Sequence, residues 1–217
     1  MNFLVILILV TLKCATAGSR ILFVFPTPSK SQMVVGESLA RVLAESGHSV
    51  TVVSVFPLEK PLKNYLDVEI EFEDELKNIF KKLMNKENAK FSFELANELF
   101  TIADKIGPIF MKSSGMQKLM QEEKFDLLIL GFVPLNNFML GLGNHFKCPT
   151  LLLNTAEVHN SLLTLIGNPL ELNSFPHFLI SSSTMDTFGN RVKNFLVSGF
   201  DYLTGYYINY LENEKYR

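Results

Sequence analysis

The sequence predicts an α/β fold built on a doubly wound parallel sheet, and three observations point to it. Ile21–Phe25 is a continuous apolar run and Phe125–Leu130 (FDLLIL) is apolar except for Asp126, the pattern of parallel strands buried on both faces. Between Ile21–Phe25 and the β-branched run Ser49–Val55 lies a helix-spaced stretch ending at Gly47-His48. A connection that short makes a right-handed crossover between parallel neighbours. Hydrophobic residues reach 47%, with a mean hydropathy of +0.20. Such a composition buries enough apolar surface to fold into a sizeable core.

The elements follow in order. Phe3 to Leu12 is an apolar run followed by Ala15-Thr16-Ala17. It falls short of the about 20 residues that span a bilayer, and the small residues fit a cleavage site near Gly18. Residues 1–17 therefore read as a signal peptide. An uncleaved anchor is the alternative, because the terminal amine is the only positive charge before the apolar run. Residues 18–217 then make one domain, destined for the secretory pathway: the endoplasmic reticulum lumen, membrane-anchored if the full-length chain continues, or secretion. After the first strand, Pro26, Pro28, Ser29 and Ser31 form a loop, with Ser31 as the helix cap. Val34, Val35, Leu39, Val42 and Leu43 form the apolar stripe of the helix, and Gly47 ends it.

Leu66–Phe72 alternates as a third strand, and Asp74–Asn85 and Phe91–Met111 read as helices, with Gly107-Pro108 placed to kink or split the second. Beyond FDLLIL lie a loop, 131–137, a helix over Phe138–Phe146 and a strand over Cys148–Leu153. A long loop then leads to an aromatic-rich helical stretch from Asp186 to the end. Its stripe from Phe188 to Tyr210 reads as packing, with exposure of part of it as the alternative.

Several function classes drop out. With 20 basic and 22 acidic side chains there is no basic footprint for nucleic acid. No G-x-G-x-x-G and no P-loop occurs. Cys14 leaves with the leader, so Cys148 stands alone, without a disulfide framework or a zinc-ligand set. His48 reads as structural at a turn, and His145 as a cap or surface residue. His159 and His177 fall in the long loop, where a catalytic base is the minority reading. Asp126 reads as a solvated or turn residue, and the acidic run Glu69–Glu75 as a solvated surface.

Taken together, FPTPSKSQ, ESGHSVTVVS, FDLLIL with LGLGNHFKCP, and GNPLELNSFPHF resemble the amino-terminal half of the UDP-glycosyltransferases, the insect members most closely. The resemblance implies a Rossmann-like domain, the amino-terminal domain of a GT-B glycosyltransferase, which binds a small lipophilic acceptor. A second domain binds the UDP-sugar co-substrate. It also implies a histidine base in the first loop, held by a carboxylate after the FDLLIL strand. By alignment those positions are Gln32 and Gly131, and neither side chain can take a proton. Loss of a general base costs about 10²–10⁴ in rate.

The sugar-nucleotide signature, with its Trp-x-Pro-Gln stretch, is not seen in a chain that has no Trp. The expectation is an acceptor-binding half that binds no cofactor or metal of its own. Its pocket is walled by the loops 26–33 and 131–137 and by residues 165–180. Ser29, Ser31, Gln32, Met33, Phe132, Asn136, Phe175 and Phe178 are the candidate contacts. The rival expectation is a secreted, non-catalytic protein that binds a hydrophobic small molecule or pairs with an intact transferase or the missing domain.

Overall fold

The computed structural model describes residues 18–84, 102, 105–131, 137–155, 162–163, 166–168, 176–177, 180 and 185–216. The chain forms two compact units: Met1–Ile70 with Ser113–Gly131 and Gly143–Leu152, and Glu71–Lys112 with Phe132–Leu142 and Leu153–Arg217.

The first unit holds a five-stranded sheet in the order β3-β2-β1-β4-β5. Its strands are β1 Arg20–Phe25, β2 Ser49–Ser54, β3 Tyr65–Glu69, β4 Leu127–Gly131 and β5 Thr150–Leu153. β1 runs parallel to both β2 and β4, and β2 to β3. The Leu128 N–H donates to the Pro149 carbonyl at the β5 edge, at 2.9 Å. Leu22, Phe23 and Val24 of the central strand are fully buried, as a strand covered on both sides requires. The α/β, Rossmann-like expectation therefore holds.

Helix α1, Lys30–Glu45, crosses back from β1 to β2. Ser29 occupies its N-cap position without a side-chain cap hydrogen bond. The expected cap, Ser31, is instead the second helical residue and lies with its Oγ 3.2 Å from that of Ser29. The exit follows expectation: His48 N–H donates to Leu43 and Gly47 N–H to Ala44, a Schellman closure with Gly47 at φ +94°. The apolar stripe is a correction. Met33, Gly36, Ala40 and Ala44 are the buried side, while Val34, Val35, Leu39 and Val42 are exposed. The sheet beneath already carries Phe23 and Phe25, so the helix closes on it through small residues.

Helix α2 spans Asp74–Met84 and α3 spans Ser114–Glu122, the latter capped by Ser113. Residues 105–112 are helical straight through Gly107-Pro108, so that pair does not split the element. The rest of Phe91–Met111 lies outside the described residues, apart from Ile102. The expected helix over Phe138–Phe146 divides into a 3₁₀ turn, Asn137–Leu140, and α4, Gly141–Phe146.

In the second unit, Phe110 meets Phe138 edge-on at 6.1 Å. The last helix, α5, runs from Phe188 to Tyr216. Its aromatic stripe is the second correction. Phe188, Phe195, Phe200, Tyr202, Tyr206 and Tyr207 are exposed. The packed side consists of Asn194 and Ser198 instead, because the segment it covers offers polar partners.

Candidate functional site at the carboxyl ends of β1 and β4

In a sheet of order 3-2-1-4-5 the direction of strand succession reverses between β1 and β4, and ligands bind beyond the carboxyl ends of the strands there. Phe25 closes β1 and Gly131 closes β4. The two are packed against each other. A Cβ placed on Gly131 would stand 2.3 Å from Cδ1 of Phe25, and a Cβ on Gly36 of α1 would stand 2.0 Å from its Cζ. The ring therefore fills the space between two glycines and is only 2% exposed.

The loop from β1 into α1 brings the next groups. Thr27, buried, donates from Oγ1 to the carboxamide oxygen of Gln32 at 2.8 Å. Gln32 is half-buried, Ser29 nearly buried and Ser31 exposed. Met33 faces the core and is 2% exposed. The structure thus brings Ser29, Ser31 and Gln32 together at one strand end, with Gly131 across from them. Phe132, Asn136, Phe175 and Phe178 lie outside the described residues. Phe25 is also expected as an apolar wall of the pocket, but its ring is buried between Gly36 and Gly131; Thr27 and Gly36 were not anticipated. Thr27 alone had a sequence signal, a hydroxyl between two prolines in the strand-to-helix loop.

The chemistry at this end is narrow. A carboxamide donates and accepts hydrogen bonds but holds no proton-accepting pKa in the working range, and glycine offers no side chain. Nor does the loop fit a nucleotide pyrophosphate. Such a cradle needs consecutive backbone N–H donors with room for close approach, and Pro26 and Pro28 supply none. Among the described residues, no group of three His, Cys, Asp or Glu side chains is placed to hold a metal ion.

The other titratable residues have structural settings. His48 Nδ1 accepts from the Ser19 N–H at 3.1 Å, and His145 Nε2 lies 2.8 Å from the Met120 carbonyl oxygen. Asp126 accepts from the Arg20 N–H at 2.8 Å and donates its own N–H back to the Arg20 carbonyl, pinning the starts of β1 and β4. Arg20 also pairs with Glu123. His177 is buried, with Nε2 3.2 Å from the Asp201 carboxylate. His159 lies outside the described residues. Burial pushes the Cys148 thiol up, so it stays protonated rather than nucleophilic. Burial likewise raises the Asp67 carboxyl on β3, beside the Arg41–Glu37 ion pair of α1.

No family model matches the chain, and no solved structure matches it significantly. Curated proteins do match. UDP-glycosyltransferase UGT4 of Dactylopius coccus is 27% identical over 203 residues, 92% of this chain and 39% of the relative. UDP-glycosyltransferase UGT5 of the same insect is 29% identical over 188 residues, 82% of this chain and 34% of that protein. UDP-glucosyltransferase 2, also from this insect, is 40% identical over a shorter stretch of 69 residues. The chain thus spans well under half the length of the relatives that match most of it. Over most of its own length the chain is similar to UDP-glycosyltransferases of this insect.

Proposed function

We propose that this chain is an acceptor-binding, amino-terminal domain of the UDP-glycosyltransferase type, with a signal peptide over residues 1–17 that sends it into the secretory pathway. In a complete protein such a domain presents a small lipophilic hydroxyl, amine or thiol compound to a UDP-sugar held by a second domain, for transfer of a hexosyl or glucuronosyl group. The observation that carries the reading is the pairing of the strand-end loop, Thr27 to Gln32, with the end of β4 at the point where strand order reverses.

Here the site recognises rather than activates. Gln32 and the hydroxyls of Ser29 and Ser31 supply hydrogen-bonding groups without a base. The second reading, a non-catalytic binding protein for a hydrophobic small molecule or for an intact transferase, is favoured by one observation. Phe25 occupies the space that a side chain at position 131 would need.

Calorimetric titration tests both readings. A naphthol is expected to bind and UDP-glucose is not, and Gln32→Ala should weaken the naphthol alone. Failure of the naphthol to bind would remove the acceptor-site reading. Tight binding of UDP-glucose would overturn the division of labour between two domains.

A further inference from the structure

Helix α5 is amphipathic with its apolar side turned outward. The inward side carries Asn194 and Ser198, both buried, and Asp201. Asn194 Oδ1 accepts the His177 N–H at 2.7 Å, and Asp201 faces the His177 ring, whose side chain is 1% exposed. These contacts fix which side faces the protein.

The outward side carries Phe188, Phe195, Leu196, Phe200, Leu203 and Tyr206, each more than half exposed. At about 100° and 1.5 Å per residue they share, with Tyr202, Tyr207 and Tyr210, one arc about 160° wide and about 33 Å long. No charged residue falls within that arc. Exposed Arg191 and Lys193 stand at its two edges, and Asp201, the one acid between residues 188 and 211, is turned inward.

A continuous apolar strip of this size is not left in water by an ordinary soluble surface, so something covers it. The composition selects among occupants. Tyrosine and phenylalanine, with apolar bodies and, for tyrosine, a polar tip, suit a boundary that is apolar on one side and wet on the other. Between residues 188 and 210 the face carries no carboxylate and has cationic edges, a pattern that complements anionic headgroups; the acids Glu212 and Glu214 come only beyond its end. A protein partner would leave that charge pattern unexplained. Among the described residues no helix is long and apolar enough to cross a membrane, so the fit of this face is to a membrane surface. The polar side of α5 is already committed to His177.

We propose that α5 docks this protein, face down from Phe188 to Tyr210, on the surface of a phospholipid bilayer. The proposal is independent of the acceptor-site reading.

The test is co-sedimentation of the full chain with phosphatidylcholine vesicles, with and without phosphatidylserine. The wild type should pellet with both, more strongly with the anionic lipid. Phe195→Glu/Tyr206→Glu alters only exposed positions and should weaken partitioning roughly tenfold or more, from two lost aromatic burials. Arg191→Gln/Lys193→Gln should abolish only the preference for anionic lipid. Because the chain contains no Trp, Tyr206→Trp provides a single indole, whose emission should shift blue with vesicles and be quenched by brominated lipid. Equal pelleting of the wild type and the Glu variant would overturn the proposal, since binding would then come from elsewhere in the chain. So would a wild type that ignores vesicles and sediments as a dimer that the Glu variant dissociates, because a second copy would then cover the face.

Discussion

Gly131→Ala probes the packing at the end of β4 most directly. The added methyl carbon would sit 2.3 and 2.6 Å from Cδ1 and Cε1 of Phe25. Carbon pairs are at ease near about 3.5–4.0 Å, so the overlap exceeds 1 Å by this measure. The ring has no room to yield: its far edge lies against Gly36, and Phe23 stacks 6.3 Å away. Overpacking of this kind costs about 1–3 kcal/mol. Against it stands the usual gain of about 0.5–1 kcal/mol when Ala replaces Gly inside a regular element. The net expectation is a loss of about 1–2 kcal/mol, read as a lower urea midpoint with an unchanged slope. Gly131→Asp should lose more, since a buried carboxylate without a partner adds its own desolvation cost. Phe25→Leu, which shortens the ring side, should relieve part of the Gly131→Ala penalty in the double variant. A Gly131→Ala protein as stable as wild type, or strictly additive losses in the double variant, would refute the packing argument.

Three further outcomes are expected. Gly47→Ala should cost about 1 kcal/mol from backbone strain alone, because φ is +94° and nothing lies within 4 Å of the added Cβ; Gly47→Asn should cost less, by thermal melting. Asn194→Ala should cost about 1–3 kcal/mol by leaving the buried His177 N–H without its acceptor, measured by urea unfolding. Asp67→Asn should stabilise the protein at neutral pH. Burial holds the Asp67 carboxyl above its usual value, against the Leu58 N–H bond that opposes it. A raised carboxyl pKa favours the protonated form in the folded state. Its contribution is full below the unfolded value of about 3.9 and is lost as pH rises through the folded one. The gain from Asn should therefore shrink as melts are taken from neutral pH down toward that range, and a gain independent of pH would refute the assignment.

The sheet was legible because its strands write their burial into consecutive residues: Ile21–Phe25 and Leu128–Leu130 are apolar at every position. Gly47 was legible because the left-handed turn singles out glycine. What the sequence concealed was orientation. Helical periodicity locates an apolar stripe but does not say which side meets the protein. In α1 the stripe of Val34, Val35, Leu39 and Val42 is turned out, because Gly36, Ala40 and Ala44 allow a closer approach to an aromatic strand. In α5 the stripe is turned out because Asn194 and Asp201 find partners in His177, 17 and 24 positions earlier in the chain. No local pattern carries a contact at that separation.

The same blindness covers the site. On the proposed reading, Gln32 and Gly131 stand where the family resemblance implies a histidine and a carboxylate, and the structure gives the two positions different physical standing. Gln32 is half-buried on a helical turn with a hydroxyl partner, Thr27 Oγ1, at 2.8 Å. An imidazole could accept the same hydrogen bond, so position 32 tolerates a base. Gly131 is dictated by Phe25, since any side chain there enters the ring. On the proposed reading, restoring a base at position 32 alone leaves it without its orienting carboxylate, and restoring the carboxylate first requires a smaller residue at position 25. On that reading, the barrier to hydroxyl activation is set less by the residue that would take the proton than by an aromatic ring one strand away.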